Sequence, residues 1–314
     1  MDSYIYIIDD LVFFFTGALF LYLFVMAVAS HFKHIIYPKT QKKYNCAILI
    51  REDSPLLAIH KEGPYEFIAY NDLYQSIISL DKEQYSLVLI LSDTAYALSP
   101  RLMDNIYNAY DSGIQAIQLH TITENRKGFR NRFRILCDEI KNSLYRAGNT
   151  QFGLSSNLLG TNMAIELEWL QKNLKSSKNN IERKLLWQNI YIDYLPNAIV
   201  YCQSAPACPY RKRIRKMASY LLPSLLEGNW SFFNRIIQQL IPSPLNLCIF
   251  VGVWASLITR YNWTASFSWW VLLFGLLITY SLAIPDYLVE DKKKKKHSIW
   301  RKRHLNNELK ETPA

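Results

Sequence analysis

The chain has 314 residues, half of them apolar, and a formal net charge of +10 at pH 7. This length allows one sizeable domain with accessory segments. The positive charge does not indicate a nucleic-acid partner, because much of it lies beside long apolar segments, where anionic lipid supplies about 1 kcal/mol per Lys or Arg. The five cysteines form no CxxC pair, and no histidine lies near Cys202 or Cys208. This pattern argues against a zinc site and is typical of free thiols in a reducing compartment.

Three uncharged segments are long enough to cross a bilayer. They lie at residues 11–30, 240–259 and 265–285. About twenty apolar residues match a hydrocarbon core of roughly 30 Å. The first segment is too long for a signal-peptide core, and its N-terminal flank is acidic rather than basic. We therefore predict one N-terminal transmembrane helix within residues 1–32 and two C-terminal ones within residues 241–287.

The basic residues predict the orientation of these helices. Four lysines follow the first segment, and residues 292–296 after the third are all lysine, whereas the link between the second and third contains only Arg260. The positive-inside rule then puts the N-terminus outside, and residues 33–208 and the basic tail at 288–314 in the cytoplasm. Compact loops and a lysine-rich tail are typical of a bacterial plasma-membrane protein.

Residues 33–208 have the pattern of a cytoplasmic α/β domain. Short apolar runs predict strands at residues 46–50, 86–91, 115–120 and 190–201, the last divided into two short strands at Pro196. Amphipathic spacing predicts helices at residues 71–80, 101–112 and 129–146. Alternating strands and helices indicate a mostly parallel sheet, whose ligands bind beyond the carboxyl ends of the strands. Asp93 follows the second strand at such an end.

Residues 209–240 begin with the basic cluster RKRIRK and continue with Leu, Trp and Phe among few charges. Because this segment directly precedes a membrane segment, we interpret it as amphipathic helices on the bilayer surface, in contact with membrane lipids. The alternative is an amphipathic helix pair packed on the soluble domain. The basic cluster could also serve only to bind anionic lipid.

Four segments carry a family resemblance. The first segment, YSLVLILSDTAYALSP, is similar to a strand followed by a DxD motif, with Asp93 at the first Asp position. The second, FGLSSNLLGTNMAIELEWL, is similar to an acceptor-side segment, with Gly160, Thr161 and Asn162 on its glycine turn. NIYIDYLPNAIVY is similar to a GYRIxYxPDAxVY segment, and RKRIRKMA stands where a QxxRW motif is expected, with Arg215 at its arginine. In this order and between these apolar segments, they resemble the membrane-embedded family 2 glycosyltransferases, the processive-synthase type that includes cellulose and hyaluronan synthases.

The resemblance implies a GT-A fold that transfers a sugar from a nucleotide sugar to a glycan or lipid acceptor in polysaccharide synthesis. Asp93 would hold Mg²⁺ or Mn²⁺ on the donor diphosphate, and Arg215 would neutralise that diphosphate. Gly160, Thr161 and Asn162 would line the substrate site. Glu182 is the candidate catalytic base that deprotonates the acceptor; the plain alternative is a solvent-exposed helix residue.

The sequence departs from the family pattern at the positions that bind the metal, support the acceptor and supply the catalytic base. Ala95 occupies the second Asp position, Lys216 occupies the Trp position, and Glu182 aligns only after a local gap. After the first strand, the helix and second strand that cradle the nucleotide are expected to be lost, leaving Glu52 and Asp53 as relics.

Two hypotheses follow. One is an active glycosyltransferase with divergent motifs; the other, which these losses favour, is a pseudo-glycosyltransferase that serves as scaffold or regulatory subunit of an active synthase.

Overall fold

The computed structural model describes residues 2–42, 44–54, 56, 66–125, 128–174, 181–204, 219–285 and 288. Arg215, the rest of the basic cluster and nearly all of the tail at 288–314 lie outside these residues. Side chains are described from residue 6 onward.

Within the described residues the central domain is built on one seven-stranded sheet. Its strands are β1 Cys46–Arg51, β2 Phe67–Tyr70, β3 Leu87–Ile90, β4 Ala95–Leu98, β5 Ala116–Thr123, β6 Met163–Glu166 and β7 Ile192–Cys202. Their order across the sheet is β2-β1-β3-β6-β5-β7-β4. β1, β2, β3, β5 and β7 run in one direction, and β4 and β6 run in the other. The α/β sheet predicted from the sequence is confirmed as a mixed sheet, because three of these strand pairings are parallel and three are antiparallel.

The helices are numbered in chain order. They are α1 Asp2–Ala29, α2 Leu73–Ser79, α3 Leu102–Asp111, α4 Phe129–Asn142, α5 Gly148–Gln151, α6 Leu167–Asn173, α7 Ile181–Trp187, α8 Leu221–Leu226, α9 Trp230–Leu240, α10 Pro244–Tyr261 and α11 Trp263–Leu282. A π-helical turn, Ser143–Ala147, joins α4 to α5.

Both faces of the sheet are covered, as buried parallel strands require. On one face the strands pack with α3 through Leu102 and Ile106. On the other face α6, α7 and α9 contribute residues such as Leu170, Leu185 and Phe232 to a second apolar cluster. Helix α9 is therefore part of the core of the domain.

Two details of the predicted strands are wrong. The second strand is present, because β2 pairs in parallel with β1; its four residues lie at a half-exposed sheet edge and carry no run of buried apolar side chains. The predicted break at Pro196 is absent, because β7 continues through it. The register against β5 jumps from Leu195 to Ile199. A bulge thus absorbs the proline, which has no N–H for the ladder.

Among the described residues, three helices are long and apolar enough to cross a membrane: Tyr6–Ala29 of α1, α10 and α11. They pack on one another through an apolar cluster that also contains Ile140 and Leu144. Near one end of this bundle, Asp9 accepts hydrogen bonds from the indole N–H groups of Trp254 and Trp269, at 2.8 and 3.0 Å.

Helix α9 buries its polar side. Asn234, Arg235 and Gln238 are buried, and Tyr22 of α1 donates to Asn234 Oδ1 at 2.8 Å. Trp230 and Leu240, at its two ends, are exposed. The segment thus packs on the domain, as the alternative interpretation requires, and it also leaves apolar side chains outside.

Candidate functional site

The candidate site lies at the carboxyl end of β3. Asp93 occupies the turn between β3 and β4, and its side chain is exposed. The hydroxyl of Ser92 donates to Asp93 Oδ1 at 3.1 Å. The same hydroxyl lies 3.2 Å from Thr94 Oγ1, which donates to the carbonyl of Ser204 at 3.0 Å. The turn is therefore tied to the end of β7, and the Asp93 carboxylate projects from it.

Ala95 begins β4 and is completely buried. Its methyl group lies in the apolar cluster under α3. Its carbonyl accepts a hydrogen bond from Ser54 Oγ at 3.3 Å, and its partner across the sheet is Cys202. The second position of the sequence motif therefore faces the core, whereas Asp93 faces solvent.

Asn162 joins three strands at this edge. Its Oδ1 accepts from the backbone N–H of Ser92 at 2.9 Å, and its Nδ2 donates to Thr121 Oγ1 at 2.8 Å. The backbone N–H of Leu119 donates to its carbonyl at 2.9 Å. Asn162 is fully buried with φ +53°, a left-handed conformation that Asn tolerates. It therefore acts as a scaffold residue beneath the turn that carries Asp93.

The two residues before Asn162 form the exposed part of this turn. Gly160 has φ +86° and is exposed; this left-handed backbone favours glycine. The carbonyl of Thr161 accepts from Gln118 Nε2 at 3.3 Å, and its hydroxyl is buried with no hydrogen-bond partner among the described residues. The bond between Asn162 and Ser92 joins this turn to the Asp93 turn, so the structure brings the sequence candidates Asp93, Gly160 and Thr161 to one sheet edge.

Glu182 lies in the first turn of α7 and is buried, so the solvent-exposed interpretation is wrong. Its Oε1 accepts from the backbone N–H of Leu158 at 3.0 Å. Arg235 of α9 holds both oxygens, with Nε 2.8 Å from Oε1 and Nη2 3.1 Å from Oε2. Burial raises the pKa of the Glu182 carboxyl, and the Arg235 guanidinium opposes that shift. The carboxylate is thus engaged in a buried ion pair that joins α7 to α9.

A second group of buried ionisable residues was not predicted from the sequence. His120 of β5 lies between Tyr194, which shares a hydrogen bond with its Nδ1, and Glu139 of α4, 4.0 Å from its Nε2. Burial lowers the pKa of His120. Arg146, in the π-helical turn, donates from Nε to the carbonyl of Asn157 at 3.1 Å. The sequence feature that could have indicated this group is the set of charged residues at helical spacing in residues 129–146.

The described residues do not form a divalent-cation centre. They contain no group of three or more His, Cys, Asp or Glu side chains close enough to hold a metal. Asp93 supplies one carboxylate, and Ala95 supplies a buried methyl group in place of a second. Because Mg²⁺ and Mn²⁺ favour several oxygen ligands, these residues do not fit the cation that the family resemblance implies.

Comparison with known proteins identifies the family. The chain matches the model described as glycosyl transferase family group 2 over residues 87–282, from β3 to the end of α11. No curated protein matches it. Among solved structures it is similar to the mannosyltransferase PcManGT from Pyrobaculum calidifontis in complex with GDP-Man and Mn²⁺, with 11% identity and a TM-score of 0.48 over 88% of this chain and 96% of that chain. Since the family model covers well over half of its residues, the chain belongs to glycosyl transferase family group 2.

Proposed function

We propose that this protein is a membrane-anchored member of its family that has lost sugar transfer and acts as a scaffold or regulatory subunit of an active polysaccharide synthase. The observation that carries the proposal is the buried position of Ala95 in β4. A substitution restoring the carboxylate would bury a charge rather than complete a metal site. The packing beneath the turn therefore leaves no place for a second metal-binding carboxylate.

The surroundings of Glu182 support the same proposal. An inverting transfer needs a base that can reach the acceptor hydroxyl. Both oxygens of Glu182 already have partners, and its side chain is only 6% exposed. A carboxylate in this arrangement stabilises the contact between α7 and α9 and is not available as the base.

Membrane anchorage is supported by the three apolar helices and by the distribution of lysines around them. The proposed orientation puts the N-terminus outside and the sheet domain in the cytoplasm of a bacterial cell. Where a neighbouring gene encodes a complete synthase, we expect that synthase to co-purify with this protein through their membrane segments. A failure to co-purify from mild detergent would contradict the subunit role.

A ligand titration tests the loss of activity. Purified full-length protein is heated with millimolar UDP- and GDP-sugars and Mg²⁺ or Mn²⁺, including GDP-mannose with Mn²⁺. A ligand at one hundred times its Kd stabilises a native state by about 2.7 kcal/mol. We expect no change in Tm and no release of nucleoside diphosphate. A rise in Tm accompanied by turnover would overturn the proposal.

The second candidate function is an active transferase with divergent motifs. It is favoured by the exposed carboxylate of Asp93, which lies beside the Gly160 turn at the sheet edge. If turnover is found, Asp93→Ala should abolish it while leaving Tm unchanged. Turnover retained in Asp93→Ala would mean that the chemistry occurs elsewhere on the protein.

A further inference from the structure

Helix α4 carries an apolar stripe along one side. Phe129, Phe133, Leu136 and Ile140 follow one another at steps of four, three and four residues, so they share a face of the helix. Leu136 and Ile140 pack into the cluster that contains the last turns of α1 and α11, including Met26 and Tyr280. The stripe therefore faces the three-helix bundle formed by α1, α10 and α11.

The C-terminal half of α4 and the π-helical turn pack against the end of this bundle. Ile140 and Leu144 share an apolar cluster with Leu23 and Met26 of α1, and a Cβ atom at Gly148 would be 2.7 Å from the main-chain oxygen of Met26. The end of the bundle that holds Met26 therefore lies next to the sheet domain.

The N-terminal half of α4 extends the same stripe beyond the bundle. Phe129 is 83% exposed. Its ring stacks on that of Phe133, with centroids 6.3 Å apart and planes 20° apart. Ile135 and Glu139, on another side of the helix, are buried against the domain. The stripe thus continues from Ile140 at the bundle, through the half-buried Phe133, to the exposed ring of Phe129.

Exposed arginines accompany this aromatic pair. At 100° per residue, Arg130 and Arg132 flank the stripe on its two sides, and both are exposed. Arg134 points away from the stripe and lies 4.0 Å from Asp138. Helices that lie in the membrane interface carry Phe, Trp and Leu on the apolar face and basic residues beside it, and guanidinium groups bind phosphate oxygens in pairs. The charge and the apolar surface both complement an anionic lipid surface.

We propose that the N-terminal half of α4 is a membrane-surface anchor, in which Phe129 and Phe133 enter the headgroup region while Arg130 and Arg132 contact anionic lipid phosphates. This inference rests on the proposed membrane anchorage and adds a lipid contact made by the sheet domain itself. Because α4 belongs to the connection between β5 and β6, this contact holds that part of the domain against the bilayer.

Photocrosslinking of the full-length protein in nanodiscs tests this anchor. The photoreactive residue p-benzoylphenylalanine is introduced at Phe129, at Arg134 on the opposite side of α4, and at the exposed Phe274 of α11. The discs contain phosphatidylcholine alone or a mixture with phosphatidylglycerol. We expect lipid adducts at position 129, with a higher yield in the anionic discs, and none above background at position 134. Arg130→Gln with Arg132→Gln should lower the yield at position 129, whereas Arg134→Gln should not.

The remaining outcomes separate this inference from the proposed function. Lipid adducts at position 274 but not at 129 would overturn the α4 anchor and leave membrane insertion intact. Adducts of position 129 with protein would make this face a protein interface and would also overturn the anchor. The absence of lipid adducts at both positions would contradict membrane anchorage itself, and the α4 anchor with it.

Discussion

At the scale of single residues, Ala95 decides how the candidate site can respond to mutation. Ala95→Asp restores the sequence of the motif, but its carboxyl group would enter an apolar cluster. We expect a loss of at least about 2 kcal/mol of unfolding free energy and no gain of nucleotide-sugar binding. Chemical unfolding in detergent and the ligand titration measure the two effects.

The matched control is Asp93→Ala at the exposed end of the same turn. Exposed substitutions of this kind change stability by about 0.5 kcal/mol or less. If Ala95→Asp were as stable as the parent protein and bound Mn²⁺, the packing argument for lost catalysis would be wrong.

The ion pair of Glu182 and Arg235 gives a prediction that depends on pH. Arg235→Met leaves a buried carboxylate without its counter-charge, which costs about 3–5 kcal/mol. Because burial already raises the pKa of Glu182, protonation relieves this cost. The Tm difference from the parent protein should therefore be small near pH 5 and should grow towards pH 8, as the pH rises through the folded-state pKa.

The control for this prediction adds Glu182→Gln to Arg235→Met. Removing the carboxylate should restore part of the stability and abolish the pH dependence. A Tm difference that is the same at pH 5 and pH 8 in the single variant would show that the carboxylate is not the group responsible.

At the scale of elements, Gly148 fixes the contact between α5 and α1. A Cβ atom at this position would lie 2.7 Å from the Met26 carbonyl oxygen. Because that obstacle is backbone, the helices must separate, and Gly148→Ala should cost roughly 1–3 kcal/mol. Gly17→Ala, on the same helix α1 with open space around it, should be neutral or slightly stabilising. Thermal unfolding in detergent compares the two; equal effects would contradict the close approach.

The strands that could be predicted from the sequence are those whose side chains are buried on both sides. β1 and β3 are continuous apolar runs, and burial leaves no other arrangement for them. β2 was missed because a half-exposed edge strand of four residues carries no such run. The bulge at Pro196 was interpreted as a break, since local sequence does not report whether a neighbouring strand continues.

The sequence predicted the location of the candidate site better than its contacts. An apolar run ending in Asp93 identified the sheet edge correctly, because that signal is local. The direction of Ala95 depends on its pairing with Cys202, and Glu182 pairs with Arg235, 53 positions away in the sequence. Helix α9 shows the same limit, because its amphipathic pattern was interpreted as a helix on the bilayer surface, whereas its polar side is buried against α1 and α5.

At the scale of the whole molecule, the sheet domain and the three-helix bundle are joined by polar contacts as well as apolar ones. Gln238 of α9 donates to Tyr22 of α1 and to Asn149 of α5, at 2.8 and 2.9 Å. Arg235, which pairs with Glu182 of α7, lies on the same helix as Gln238. A movement of α1 relative to the domain would therefore break hydrogen bonds to α9, the helix that carries Arg235.

The other end of the bundle depends on Asp9. Asp9 Oδ1 accepts from both Trp254 and Trp269, so one carboxylate joins all three apolar helices. Asp9→Ala removes both hydrogen bonds and leaves the indole N–H groups of the buried Trp269 and the half-buried Trp254 without this acceptor. At about 0.6–1.7 kcal/mol for each such bond in a membrane, we expect a loss of roughly 1–3 kcal/mol in an SDS-unfolding titration.

Variants of the tryptophans test whether this loss comes from the two bonds. Trp254→Phe and Trp269→Phe should each destabilise the bundle less in the Asp9→Ala background than in the parent protein, because the hydrogen bond is already lost there. Trp270→Phe, at a half-exposed position on α11, should leave the unfolding midpoint unchanged. If Asp9→Ala and the tryptophan variants were simply additive, Asp9 would stabilise the bundle by some other contact. Non-additive losses would instead identify the carboxylate as the shared acceptor that holds α10 and α11 against α1.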